Sequence, residues 1–387
     1  MRITDIREKS VPMGAAMRNA VIDFSKMTVS AVAVVTDVVR DGKPVVGFGF
    51  NSNGRYAQGE IIRTRLAPRI FELTPEQQQN QAGDNLDPIS LRSAMLRNEK
   101  PGGHGERAIA VAAVEIALWD AAAKIAEVPL WQMLGGEDAE NRVFVYAAGG
   151  YYDEEKGIPG LLEEVRGYLA SGYTWVKIKI GGATLEEDIR RIEAVLELLG
   201  GDGGRLAVDA NGRFDIETAL KYAAALAPYN LRWFEEPGDP LDYELNAEIV
   251  RNYPNAVATG ENLLSLQDAT NLIRHGGLRR AVDYLQFDPA LAYGVTETIA
   301  ITRMMEEQGW SPRRFIPHGG NLLALALSGA LKLGGCESYP GVFQPFGGFA
   351  DDTPIEDGYI MLPDAPGIGF ERKAALYEVL KELLTSA

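Results

Sequence analysis

The sequence predicts an α/β protein in which a closed parallel barrel follows a smaller mixed unit. From Arg142 onward, short apolar runs alternate with amphipathic helical stretches. Before Arg142 the texture is mixed, with a hairpin pattern followed by helical spacing. The length of 387 residues fits a barrel of about 250 residues plus one smaller domain.

Residues 1–5 read as the start of a strand and carry no apolar signal core. Residues 28–39 and 45–51 are rich in valine and flank the turn Asp41-Gly42-Lys43, which makes them a hairpin. Apolar and charged residues recur at helical spacing over 63–72. Glycine and proline make 98–106 a loop, and 108–126 is an alanine-rich helix that stops before Val128-Pro129. The barrel runs are 143–147, 174–180, 205–209, 231–235, 256–259, 284–287, 314–317 and 334–337. Helices over 161–170, 185–199, 216–227, 243–253, 266–274, 296–309 and 321–331 lie between them. Eight strands alternating with helices imply a parallel sheet closed into a barrel. A Gly- and Pro-rich stretch, 343–369, precedes a last helix over 371–385, and this tail is expected to return to the first unit.

A net charge of −16 argues against nucleic acid as a partner, since phosphate binding needs a basic surface. It leaves room for a small anionic substrate in a cleft whose field is set locally. No apolar run reaches the roughly 18 residues of a membrane span. The single cysteine, Cys336, rules out an intramolecular disulfide and fits a reducing, cytoplasmic setting. Three histidines, His104, His275 and His318, are too few for a His-rich zinc site. No Gly-x-Gly-x-x-Gly follows a strand, which argues against a nicotinamide enzyme.

The chemistry sits at the strand ends. Lys179, Asp209, Glu235, Glu261, Asp288, His318 and Glu337 end or follow seven consecutive barrel runs, spaced 19 to 30 residues apart. One acid after a strand is more often a helix cap. Seven ionisable residues in phase place a site at the C-terminal mouth, where barrel active sites lie. Asp209, Glu235 and Glu261 form a hard, all-oxygen set suited to Mg²⁺, with Mn²⁺ as the second candidate. Lys177 and Lys179 share one side of their strand. Each other's charge and a metal are expected to lower their pKa values, making a base near neutral pH. Asp288 can accept a His318 N–H and fix its tautomer. Lys179 and His318 then flank a carboxylate substrate across the mouth. One removes the α-proton, giving an enediolate stabilised by the metal and Lys177. The other reprotonates the carbon or protonates a departing β-hydroxyl. Glu337 either donates a proton to the enediolate or forms a salt bridge at the rim.

Lys177-x-Lys179, Asp209-Ala210-Asn211, Glu235-Glu236-Pro237, Gly260-Glu261-Asn262, Asp288 and His318 resemble the mandelate racemase branch of the enolase superfamily. So does Pro129-Leu130-Trp131 before Leu134-Gly135-Gly136. The resemblance covers essentially the whole chain. It implies an N-terminal α+β capping domain over 1–130, a (β/α)₇β TIM-type barrel over 131–345 and a C-terminal segment over 346–387 that completes the cap. A homo-oligomer is also implied. Within the branch, residues 51–56, 99–107, 146–152 and 337–340 are similar to the D-tartrate dehydratases. That likeness implies a Mg²⁺-dependent hydro-lyase in which Lys179 takes the α-proton and His318 helps hydroxide leave, yielding oxaloacetate. It also implies that Asn19, Asn53, Tyr56 and Lys100 grip the distal end of the substrate; Lys100 also reads as a solvated loop lysine. Asn321 stands where that group has a second histidine, and Pro289 where it has cysteine. A racemase or epimerase would use the same residues, and that alternative stays open.

Overall fold

The computed structural model describes residues 1–385 other than 16, 54 and 154, so Gly54 of the 51–56 motif lies outside the described residues. Strands β1 (Ile3–Pro12), β2 (Thr28–Arg40) and β3 (Lys43–Phe50) form an antiparallel sheet in that order. Val29–Val34 of β2 are buried in succession rather than alternately. Helices Glu106–Ile125 and Ala374–Thr385 both pack on this strand. The first helix approaches β3 with almost no side-chain spacer. A Cβ at Gly47 would lie 2.0 Å from the Ala117 carbonyl, and one at Gly49 2.3 Å from that of Ala113. Glycines two apart on the strand and alanines four apart on the helix therefore form one close-packed seam.

The barrel consists of β4 (Arg142–Ala148), β5 (Val176–Lys179), β6 (Leu206–Asp209), β7 (Trp233–Glu235), β8 (Val257–Thr259) and β9 (Tyr284–Leu285), each parallel to the next. β10 (Cys336–Ser338) pairs in parallel with β4 and closes the ring. The seventh position differs from the expected strand over 314–317. It is a single bridge between Leu285 and Phe315, with Ile316 N donating to Leu285 O at 2.9 Å and Gly334 N to Phe315 O at 2.8 Å. Pro317 has no N–H to extend the ladder, and Gly319 and Gly320 turn the chain with φ of 107° and 52°. Outer helices follow most strands, and several start on a side-chain cap. Thr184, Asp215, Asp242, Ser265 and Asn321 each accept a backbone N–H of their own first turn.

The tail departs in its middle from the expected return to the first unit. β11 (Ile355–Glu356) and β12 (Tyr359–Met361) form a hairpin that pairs antiparallel with Arg142–Phe144 of the barrel. β4 extends below its pairing with β10, and the hairpin covers that exposed edge. On either side of the hairpin the tail does return: Phe346 and Phe370 pack on Phe50 of β3, and helix Ala374–Thr385 lies on the first sheet. Cys336 is buried as a free thiol. No helix among the described residues is long and apolar enough to cross a membrane.

Two buried carboxylates join the parts. Asp120 accepts from Phe48 N (2.8 Å), Ile368 N (2.7 Å) and Lys124 Nζ (2.6 Å), linking sheet, helix and tail. Glu115 accepts from Val295 N (2.7 Å), Thr296 N (3.0 Å) and Trp119 Nε1 (2.8 Å), so a cap-helix carboxylate holds the first turn of barrel helix Val295–Glu307. Truncating Glu115 strands two backbone donors, each costing about 1–3 kcal/mol. Glu115→Ala should lower stability by ~3 kcal/mol, read as a fall in the urea midpoint; an unchanged midpoint would show that the joint is held elsewhere.

Candidate active site

The ladder register builds the site. Lys179 lies opposite Asp209, and Asp209 opposite Glu235, so three charged residues occupy one rung of adjacent strands. Glu261 stands two residues beyond β8. Asp288 follows β9, and His318 follows the Phe315 bridge. Asp209, Glu235 and Asp288 are fully buried; Lys177 and Lys179 are 1% and 3% exposed.

Lys177 Nζ contacts Glu235 Oε1 at 2.5 Å and Glu337 Oε1 at 2.6 Å, with Asp209 Oδ2 at 3.5 Å. Lys179 Nζ lies 2.5 Å from Asp209 Oδ2 and 5.3 Å from the centre of the Tyr151 ring. The expected lowering of the lysine pKa values included the charge of a metal; these protein contacts act in the other direction. Burial lowers both, but Glu235 and Glu337 outweigh it at Lys177, and Asp209 and Tyr151 outweigh it at Lys179, so both stand above the usual lysine value. Of the two alternatives for Glu337, the structure shows the ion pair. Burial raises its carboxyl, but Lys177 and His318 hold it below the ordinary range, which agrees with the salt-bridge alternative, although the pair is buried and not at the rim.

His318 Nδ1 lies 2.7 Å from Asp288 Oδ2. Asp288 is itself fixed by the Ala290 N–H at 2.7 Å. His318 Nε2 faces the cavity, 3.1 Å from the Tyr339 hydroxyl and 3.5 Å from Glu261 Oε2. Burial lowers the imidazole pKa, but Glu261, Glu337 and Asp288 together push it up to about 10.

Asp209, Glu235 and Glu261 each offer an oxygen within 4.8 Å of the others. Glu261 Oε2 is buried and accepts no hydrogen bond among the described residues. Burial, together with the charge of Asp209 and against that of Lys177, pushes Glu235 up to about 8. Three converging carboxylates, one with an unused buried oxygen, fit a divalent cation. The rear of the set is braced: Trp233 Nε1 and Gln286 Nε2 donate to Glu235 Oε2 at 2.7 and 2.8 Å, and Asn211 N to Asp209 Oδ1 at 2.8 Å.

A cavity of about 420 Å³ opens above this rung, and both Lys179 and His318 line it. Asn19 and Asn53 line it as well. The Asn19 carbonyl oxygen is taken by Val21 N (2.8 Å) and Ile22 N (2.7 Å), which leaves its amide to donate. Tyr56 and Lys100 are not brought to the cavity; Tyr56 is 55% exposed and Lys100 sits on the outer side of its loop. The loop is pinned elsewhere: Arg107 donates to the carbonyls of Lys100 (3.1 Å) and Gly102 (2.5 Å) and to the Tyr293 hydroxyl (3.0 Å). Arg55, Tyr151, Asn211, Asn262 and Tyr339 line the cavity without having been singled out from the sequence. Tyr339 had a signal, since it stands two residues after Glu337 and so shares its side of the chain. Arg55 lies inside the 51–56 motif, in the cap loop expected to grip the substrate, and it donates to Asn262, which in turn donates to both Glu236 oxygens at 3.0 Å. Asn321 caps helix Leu322–Ala330 through Ala324 N at 3.1 Å; neither it nor Pro289 lines the cavity.

Glu99 anchors the same loop. Hydrogen bonds from Arg65, against desolvation and with help from Arg69 and Arg107, hold its carboxyl down at about 2, from an ordinary 4.5. A depressed carboxyl adds stability above its unfolded pKa and loses it as pH falls towards the folded value. Glu99→Gln should therefore make stability fall less steeply between about pH 4.5 and 2, followed by chemical unfolding at stepped pH; parallel curves would show that the arginines do not act through this charge.

Glu261→Gln should weaken divalent-cation binding by at least about ten-fold in calorimetric titration, with an unchanged far-UV spectrum. Equal affinity would remove Glu261 from the ligand set.

Family models match two parts of the chain, the mandelate racemase / muconate lactonizing enzyme N-terminal domain over residues 13–135 and the enolase C-terminal domain-like model over 160–376. An arabinonate dehydratase of Saccharolobus solfataricus is 31% identical over 72% of this chain and 74% of its own length. A racemase from Streptomyces coelicolor, solved with bound magnesium, superposes with a TM-score of 0.78 at 27% identity, over 98% of this chain and 99% of the other. The L-talarate/galactarate dehydratase of Salmonella typhimurium, liganded with Mg and L-lyxarohydroxamate, gives 0.75 at 26% identity, over 94% of this chain and 88% of the other. One model covers the cap and the other the barrel that carries Asp209, Glu235 and Glu261, so the chain belongs to the mandelate racemase / muconate lactonizing enzyme family of the enolase superfamily.

Proposed function

We propose that this protein is a Mg²⁺-dependent hydroxy-acid dehydratase acting on D-tartrate or a related sugar acid. The observation that carries the reading is the placement of Lys179 and the Asp288-bound His318 on one cavity above Asp209, Glu235 and Glu261. These three carboxylates would hold Mg²⁺, which when bound draws charge from the substrate carboxylate and acidifies its α-carbon. The dehydratase relatives support elimination as the outcome. The D-tartrate assignment draws on the sequence likeness, and Arg55 on the cap side of the cavity suits a second carboxylate.

In this reading Lys179 Nζ, once unprotonated, takes the α-proton, and the C–H pair moves into the enediolate. Lys177, held cationic between Glu235 and Glu337, balances the charge on the carboxylate end. Asp288 accepts Nδ1–H of His318, and the surrounding carboxylates favour the imidazolium, whose second proton lies on Nε2 towards the cavity. The β C–O bond then breaks with its electron pair on oxygen, which leaves as water with that proton. The enol product ketonises to a 2-keto acid, oxaloacetate from tartrate. The free, buried thiol of Cys336 supports a reducing compartment, and we place the activity in the cytoplasm.

The racemase relative with magnesium favours a second reading, in which His318 returns a proton to the α-carbon instead of to oxygen. Incubating the Mg²⁺-loaded protein with tartrate isomers and sugar acids in D₂O separates the two. Keto acid formation supports the dehydratase; deuterium at the α-carbon without water loss replaces it with the epimerase. Lys179→Ala and His318→Asn should each lower kcat by about 10²–10⁴ while still binding Mg²⁺. Full activity in either variant removes that group from the mechanism.

A further inference from the structure

The opposite end of the barrel carries a cluster of the other sign. Arg232 directly precedes β7, Arg280 lies in the loop before β9, and Arg313 and Arg314 precede the Phe315 bridge. All four line one shallow cavity with Tyr284 and Ser311, and no carboxylate lines it. The fold neutralises little of this charge. Arg313 pairs with Glu140. Arg314 donates only to the backbone carbonyls of Ala281 and Val282. The guanidiniums of Arg232 and Arg280 make no hydrogen bond or ion pair among the described residues, and Arg232 Nε is buried without a partner. Arg232 instead stacks over Trp175 at 4.0 Å and Tyr284 at 4.8 Å, while Arg314 lies 4.8 Å over that same Tyr284 ring. Burial, opposed by Tyr284 and reinforced by the charge of Arg314, holds the Arg232 pKa below its ordinary value.

We propose that this basal cavity binds a small oxyanion of the phosphate type, at a site separate from the active site. Planar guanidinium forks match the oxygens of such an anion, and partial burial strengthens each contact. Ser311 Oγ accepts from Arg313 N at 3.2 Å, which leaves its O–H to donate. In a chain of net charge −16, Arg232, Arg280 and Arg314, which have no carboxylate partner among the described residues, gain most from an anion of this kind.

The test uses the Mg²⁺-loaded full chain and inorganic phosphate, titrated calorimetrically at ionic strength held constant with chloride. Arg280 is exposed and bonds to nothing in the fold, so Arg280→Ala reports on the anion alone. Saturable binding is expected, weakened at least about ten-fold in Arg280→Ala and unchanged in Lys179→Ala, which alters only the active site. The proposal is overturned by the absence of saturable binding, by equal affinity in Arg280→Ala, or by loss of binding in Lys179→Ala, which would place the phosphate in the active site.

Discussion

Charge balance at the C-terminal mouth is the constraint on which the rest depends. Asp209, Glu235, Glu236, Glu261, Asp288 and Glu337 converge there, and two ammoniums and one imidazole meet them. Burying unpaired carboxylates costs several kcal/mol per ion, so the lysines are shared: Lys177 spans Glu235 and Glu337 while Lys179 takes Asp209. The uncompensated remainder appears as the raised carboxyl of Glu235, the raised imidazole of His318 and the bare oxygen of Glu261. A divalent cation at Asp209, Glu235 and Glu261 would offset that remainder and compete with Lys179 for Asp209. The groups that would hold a cation and the group that would act as base are therefore one electrostatic unit.

Such a unit works only on a stiff frame. Lys179, Asp209 and Glu235 sit on one rung because three parallel strands share a register, and a slip of one residue would turn all three away. Glu115 and Asp120 fix the cap against barrel and tail through backbone N–H groups rather than through mobile side chains. The glycine–alanine seam between β3 and helix Glu106–Ile125 leaves no slack on the cap side. Arg55, carried on the cap and tied to Asn262 on the barrel, faces the cavity from a defined position.

The barrel and its rung of charge were legible because strand period and βα repeat length are set by backbone geometry, which local sequence reports. Seven ionisable residues one βα unit apart are visible without coordinates. The seventh strand was overread, since Arg314–Pro317 has the composition of a strand but Pro317 cannot extend the ladder. The cap loops were less legible. Lys100 looks like a substrate ligand by type, yet it is exposed, and its loop is tied through Arg107 to Tyr293, 186 residues further on. Arg55 shows the reverse, a loop arginine made relevant by one asparagine beyond a distant strand. The carboxylates that raise the lysine pKa values were hidden for a related reason: two adjacent ammoniums are evident in Lys177-x-Lys179, but the carboxylate resting on each is a product of register.

The two ends of the barrel also answer to one field. In an alternating β/α chain each helix starts at the C-terminal mouth and runs back to the base. Helix N-termini, with their partial positive charge, therefore gather where the acids lie, and helix C-termini gather where Arg232, Arg280, Arg313 and Arg314 lie. The effect fades within a turn and is worth under about 1 kcal/mol per exposed group, so it does not create either cluster. It lowers the cost of keeping carboxylates at one end and guanidiniums at the other. The polarity follows from the winding of the chain, and it favours the arrangement seen here, with acids at or just after the strand ends and arginines before the strands.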